Sequence, residues 1–92
     1  MSTHYLKSWP HLFSAISTGM KSHELRRCDD RRFEVGDVLV LQEFDPELST
    51  YSGRECKVVV TYITDASRPC ALSGEALADT HCILSVKKCN SD

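Results

Sequence analysis

Between Lys21 and Arg32 the chain gathers the side chains best suited to chemistry. Lys21, Arg26, Arg27, Arg31 and Arg32 are five of its eleven basic residues, and Glu24, Asp29 and Asp30 are interleaved with them. Glu24 and Arg26 stand two apart, so on a strand they project from one face and Leu25 from the other. Lys21 follows Gly19, which lets the chain turn and bring the ammonium toward that face. A lysine, a glutamate and an arginine so placed can hold an anion together with a hydrogen-bonding edge. Arginine grips planar oxygen pairs, and lysine acts as a mobile point charge. The plainer reading of the same residues is a solvated, charged strand and loop whose ion pairs carry little energy.

Other candidates have a similar double reading. Trp9 belongs to an apolar helical stripe, which puts it in the core, but beside Lys7 at the helix start it could also form a stacking wall for a base. Asp29-Asp30, flanked by arginines, reads as a salt-bridged loop rather than an acid–base pair. Cys28, Cys56, Cys70, Cys82 and Cys89 are odd in number and contain no CxxC pair, and His4, His11, His23 and His81 are scattered. Neither a disulfide framework nor a metal site is expected, and the cysteines read as reduced thiols. No cofactor motif is present.

The elements that must position these residues are those of one small domain spanning residues 1–92. Ninety-two residues suffice for a single core. No run approaches the roughly 20 apolar residues that span a bilayer, and Met1-Ser2-Thr3-His4 has no leader character, so the expected location is the cytoplasm. The formal net charge of -2 argues against broad binding of long nucleic acid, whose affinity comes largely from phosphate neutralisation.

Residues 4–7 read as a first strand, with Tyr5 and Lys7 on one face and His4 and Leu6 on the other. Trp9, Leu12, Phe13 and Ile16 recur at helical spacing, with Pro10 in the first turn and Gly19 as the stop, which predicts a helix over Trp9–Thr18. A second strand spans 23–27, with Leu25 pointing to the core. Val35-Gly36-Asp37 turns into a third strand, 38–44. Asp45-Pro46 ends it, Ser52-Gly53 closes a hairpin loop, and a fourth strand runs from about 55 to 64. The third and fourth strands are apolar on both faces and should be covered twice. Val38, Val40, Val58, Val60 and Ile63 join the expected core. A helical turn at 75–78, a closing strand at 82–86 and a polar tail at 87–92 complete the chain.

Gly19-Met20-Lys21-Ser22-His23-Glu24-Leu25-Arg26 matches the GxKxxExR signature of ASCH (activating signal cointegrator homology) domains. Leu6-Lys7-Ser8-Trp9-Pro10, Asp30 to Asp37, Gln42 to Pro46, Tyr51 to Glu55 and Val60 to Ile63 extend the likeness. The chain thus resembles a small ASCH-like family of bacterial and phage proteins within the PUA-like superfamily.

The resemblance implies an α+β fold: a mixed, PUA-like β-barrel of about five strands with one main helix across it. It also implies a cleft beside that helix, lined by Lys21, Glu24 and Arg26, with Lys7 and Trp9 at its margin. RNA or a nucleotide-like small molecule is the implied ligand. Some relatives resemble amidohydrolases of acylated cytidine nucleosides, in which a threonine three residues after the lysine is the nucleophile. Here that position is Glu24, a poor substitute for a hydroxyl, so no catalytic residue is assigned. Ser22 offers a hydroxyl at a different position. A third alternative is a protein-interaction module with a vestigial cleft.

Overall fold

The computed structural model describes residues 1–89. Its elements, in order, are β1 (Thr3–Ser8), α1 (Pro10–Ser17), β2 (His23–Arg27), β3 (Val38–Asp45), β4 (Thr50–Thr64), α2 (Ser73–Ala76) and β5 (His81–Lys88). The strands form one mixed sheet in the order β1-β3-β4-β5-β2. β1 and β3 are parallel, and every other pairing is antiparallel. The first and last strands of this order approach closely enough for a side chain of β2 to bond the main chain of β1. The sheet is therefore curled into a half-barrel, and the fold is mostly β with a single helix of more than one turn.

Alternation sets what each strand buries. On β1, Leu6 and Ser8 face inward while Tyr5 and Lys7 face outward. The concave face carries one apolar cluster, including Leu39, Leu41, Val58, Ile63 and Leu84, and α1 closes it with Phe13 and Ile16. Pro10 opens α1. Trp9, just before it, is extended, as a residue preceding proline tends to be. Trp9 is 51% exposed, so the core placement suggested by the helical stripe is corrected: the helix is shorter than Trp9–Thr18, and Trp9 precedes it in extended backbone. Leu12 is only partly buried.

Gly19 (φ +83°) ends the helix, and the Lys21 amide then bonds back to the Ala15 carbonyl at 2.9 Å. This return places Lys21 against the start of β2. On β2 the expected faces are exchanged. Glu24 is buried opposite Leu84, whereas Leu25 is 57% exposed opposite Ile83. Glu24 and Arg26 share a face as alternation requires, but it is the concave one. The ladder to β5 fixes the register, and local hydrophobicity does not override it.

The β3–β4 hairpin turns at residues 46–49, earlier than Ser52-Gly53 suggested, because the Asp45 carboxylate accepts the amides of Glu47 and Leu48 at 2.9 and 3.3 Å. β4 thus begins at Thr50, and Ser52-Gly53 sits in an irregularity of the ladder with Gly53 at φ +94°. A second irregularity between Val60 and Tyr62 inserts Thr61, so that Val60 and Ile63, three residues apart, both point inward.

Double coverage holds for Leu39, Val40 and Leu41 of β3. On β4, Lys57 is exposed, Val59 is half-buried and only one face is fully covered; Val38 is also only half-buried. The short α2 lies two residues earlier than expected. β5 extends to Lys88, so Lys87 and Lys88 of the expected tail belong to the sheet, and 90–92 lie outside the described residues. No described helix is long and apolar enough to cross a membrane.

Candidate ligand site at the strand seam

The site is built where β1 and β2 face each other. Alternation turns Ser8 of β1 and Glu24 and Arg26 of β2 inward, and the Gly19 turn delivers Lys21 beside them. Lys21 Nζ lies 3.9 Å from Glu24 Oε2, and Arg26 Nη2 lies 3.4 Å from Glu24 Oε1. The Glu24 side chain is only 7% exposed, against 18% for Lys21 and 24% for Arg26. The carboxylate is thus the most buried of the three, and the two cations are the more accessible. Lys21 Nζ also donates to the His23 carbonyl, and Arg26 Nη2 donates to the Lys7 carbonyl at 2.6 Å.

Three buried atoms at this seam make no hydrogen bond among the described residues: Ser8 Oγ, Glu24 Oε2 and Arg26 Nε. Buried polar atoms are nearly always paired, so three unpaired ones at one place are unusual. Ser8 stands in register with Glu43 on β3, but both Glu43 oxygens are engaged by Ser52 Oγ and by Nε and Nη2 of Arg54. Those contacts hold the Glu43 carboxyl below the usual range, Arg54 contributing most and burial opposing. Glu43 is therefore committed to the sheet interior.

The structure brings Lys21, Glu24 and Arg26 together. Lys7 contributes its carbonyl; its ammonium faces outward, 4.4 Å over the Phe44 ring. Trp9 is exposed at the α1 entrance, tilted against His11 with ring centroids 6.5 Å apart. A cavity of about 190 Å³ opens beside Lys21, between Gly19, Ser22 and the end of β5, but Glu24 and Arg26 do not line it. Ser8 was passed over in the sequence. Its position two residues after Leu6 on one strand face was the available signal.

A family model described as Domain of unknown function (DUF3850) matches residues 3–86, from the start of β1 into β5. The chain belongs to this family. None of the curated proteins matches it. The DUF3850 match covers every seam residue, Ser8 and Arg26 included, so the site lies within the domain common to the family. Among the described residues, no group of three or more His, Cys, Asp or Glu side chains is gathered as a metal ion would need.

Proposed function

We propose that the chain is a binding module for a nucleotide-like ligand or a short RNA segment, recognised at the seam between β1 and β2. The observation that carries this is the set of unpaired buried atoms: an acceptor on Glu24, a donor on Arg26 and a hydroxyl on Ser8. A planar group with adjacent donors and acceptors, such as the edge of a base, satisfies such a set. Lys21 and Arg26 suit a phosphate, and exposed Trp9 offers a stacking face. The GxKxxExR likeness to ASCH domains and their PUA-like barrels points the same way. The net charge of -2 favours a small ligand or a short segment over long RNA.

Thermal-shift titration with nucleosides, nucleotides and short RNAs tests the proposal. A ligand at one hundred times its Kd adds about 2.7 kcal/mol of stability. Arg26→Ala should weaken binding by about 1.5–3 kcal/mol, and Arg27→Ala, 60% exposed and paired with Asp29 on the other face, should weaken it little. Binding should depend weakly on salt. Equal losses in the two variants would show a diffuse charged surface. Deacylation of an acylated cytidine, abolished by Ser22→Ala, would replace binding with catalysis.

A further inference from the structure

Just beyond Arg26 along β2, a cavity of about 570 Å³ is lined by two thiols, Cys28 and Cys82, and by charged side chains of both signs, arginines and aspartates. The β2–β5 ladder explains why the thiols meet. Arg26 stands opposite Cys82, and the Cys28 amide donates to the Thr80 carbonyl at 2.7 Å, carrying the pairing one step past β2. Cys28 is thus the diagonal neighbour of Cys82 on the concave face. It packs against the apolar cluster to which Cys82 belongs.

We propose that Cys28 and Cys82 form a site of reversible oxidation, closing a disulfide when the protein meets hydrogen peroxide. Diagonal positions in a regular ladder lie about 7–8 Å apart, slightly beyond the span a disulfide bridges without backbone movement. Here the first cysteine lies just past the last residue of β2, at the head of the 28–37 loop, and closing the bridge requires a small shift of the chain there. Both thiols line the same cavity, and the Cys28 sulfur at present donates to the Asp79 carbonyl at 3.9 Å.

The two thiols have different roles. Cys82 is 1% exposed; burial, with neighbouring Cys28, pushes its thiol up to about 12, so it stays protonated. Cys28 is half-buried and lines the cavity, so it is the thiol of the pair that a small oxidant reaches first. After losing its proton, the Cys28 sulfur attacks peroxide. The S–O bond forms, the O–O bond breaks, and hydroxide leaves to take up a proton as water. The Cys82 sulfur then attacks the Cys28 sulfur. The S–S bond forms, the S–O bond breaks, and the Cys82 proton departs with the hydroxyl as a second water. Two thiols are oxidised and one peroxide is reduced. This proposal stands independently of the ligand at the seam.

The test uses the full chain carrying Cys70→Ser, which removes the most exposed competing thiol. The protein is treated with hydrogen peroxide, alkylated in denaturant and mapped by mass spectrometry. We expect a linked Cys28–Cys82 peptide, loss of two of the four remaining alkylatable thiols, and recovery of both with dithiothreitol. The oxidised protein should melt at higher temperature than the reduced one, and Cys28→Ser should remove both the link and the shift. A Cys56–Cys89 link, a Cys28 sulfinic acid without a link, or bridges only between chains would overturn the proposal.

Discussion

The Arg26 guanidinium donates to the Lys7 main-chain carbonyl at 2.6 Å, and this bond joins the two edge strands of an otherwise open sheet. Removing the side chain leaves that carbonyl without its donor and Glu24 with only Lys21, at 3.9 Å, for company. Hydrogen bonds to charged groups contribute about 1.5–3 kcal/mol. Because Arg26 is a quarter exposed, Arg26→Ala should lose an amount near the lower end of that range. Arg27→Ala should stay within about 0.5 kcal/mol of the wild type. Urea denaturation of the two variants checks the contrast.

Asp37 should govern part of the acid stability. Burial pushes its carboxyl upward but is outweighed by the Ser2 amide, the His4 ring and the Glu34 amide, so its pKa lies below the usual value. A depressed folded pKa means that its contribution is complete above the unfolded value, near pH 4. It is lost as pH falls from there through the folded value. Asp37→Asn should therefore be less stable at neutral pH and show a shallower loss on acidification. Urea midpoints measured between about pH 2 and 6 would decide this.

The two faces of the sheet make a further test. Leu84→Ala, at a fully buried position, should cost about 2–5 kcal/mol. Leu25→Ser, on the strand paired with it but on the outer face, should change stability by no more than about 0.5 kcal/mol. A large loss at Leu25 would mean that this outer face is covered in solution.

Thiol reactivity should follow burial and hydrogen bonding. Cys70 is exposed, and bonds from the Leu72 amide and the Ser73 side chain lower its pKa. Burial raises Cys56 and Cys82, the latter to about 12. Under native conditions iodoacetamide should label Cys70 first, with a rate that rises at lower pH than for an ordinary thiol, and Cys56 and Cys82 last. Time-resolved mass spectrometry gives the order. Early labelling of Cys82 would contradict the buried register of β5.

Much of this fold was legible in the residues. Pro10 and Gly19 bracketed the helix because each acts through its own backbone, and the β-branched runs marked β3 and β4. The pairing of Glu24 with Arg26 on one face followed from alternation alone. Which face turned inward did not, since it depends on β5, whose register with β2 joins residues some sixty positions apart. A buried glutamate flanked by an exposed leucine inverts the usual pattern, and local hydrophobicity reads it backwards. The hairpin was misplaced for a similar reason: Gly53 looked like a turn, but Asp45 had already capped one.

The strand order has a consequence for how the chain assembles. β1 and β2 are synthesised first, yet β1 pairs only with β3 and β2 only with β5. Neither has a sheet neighbour in the first 27 residues, whereas β3, β4 and β5 form a meander of successive antiparallel contacts. Loop-closure entropy favours the meander as nucleus. The seam is then the last part to close and the first to fray, and amides of β1 and β2 should exchange with solvent faster than those of β4.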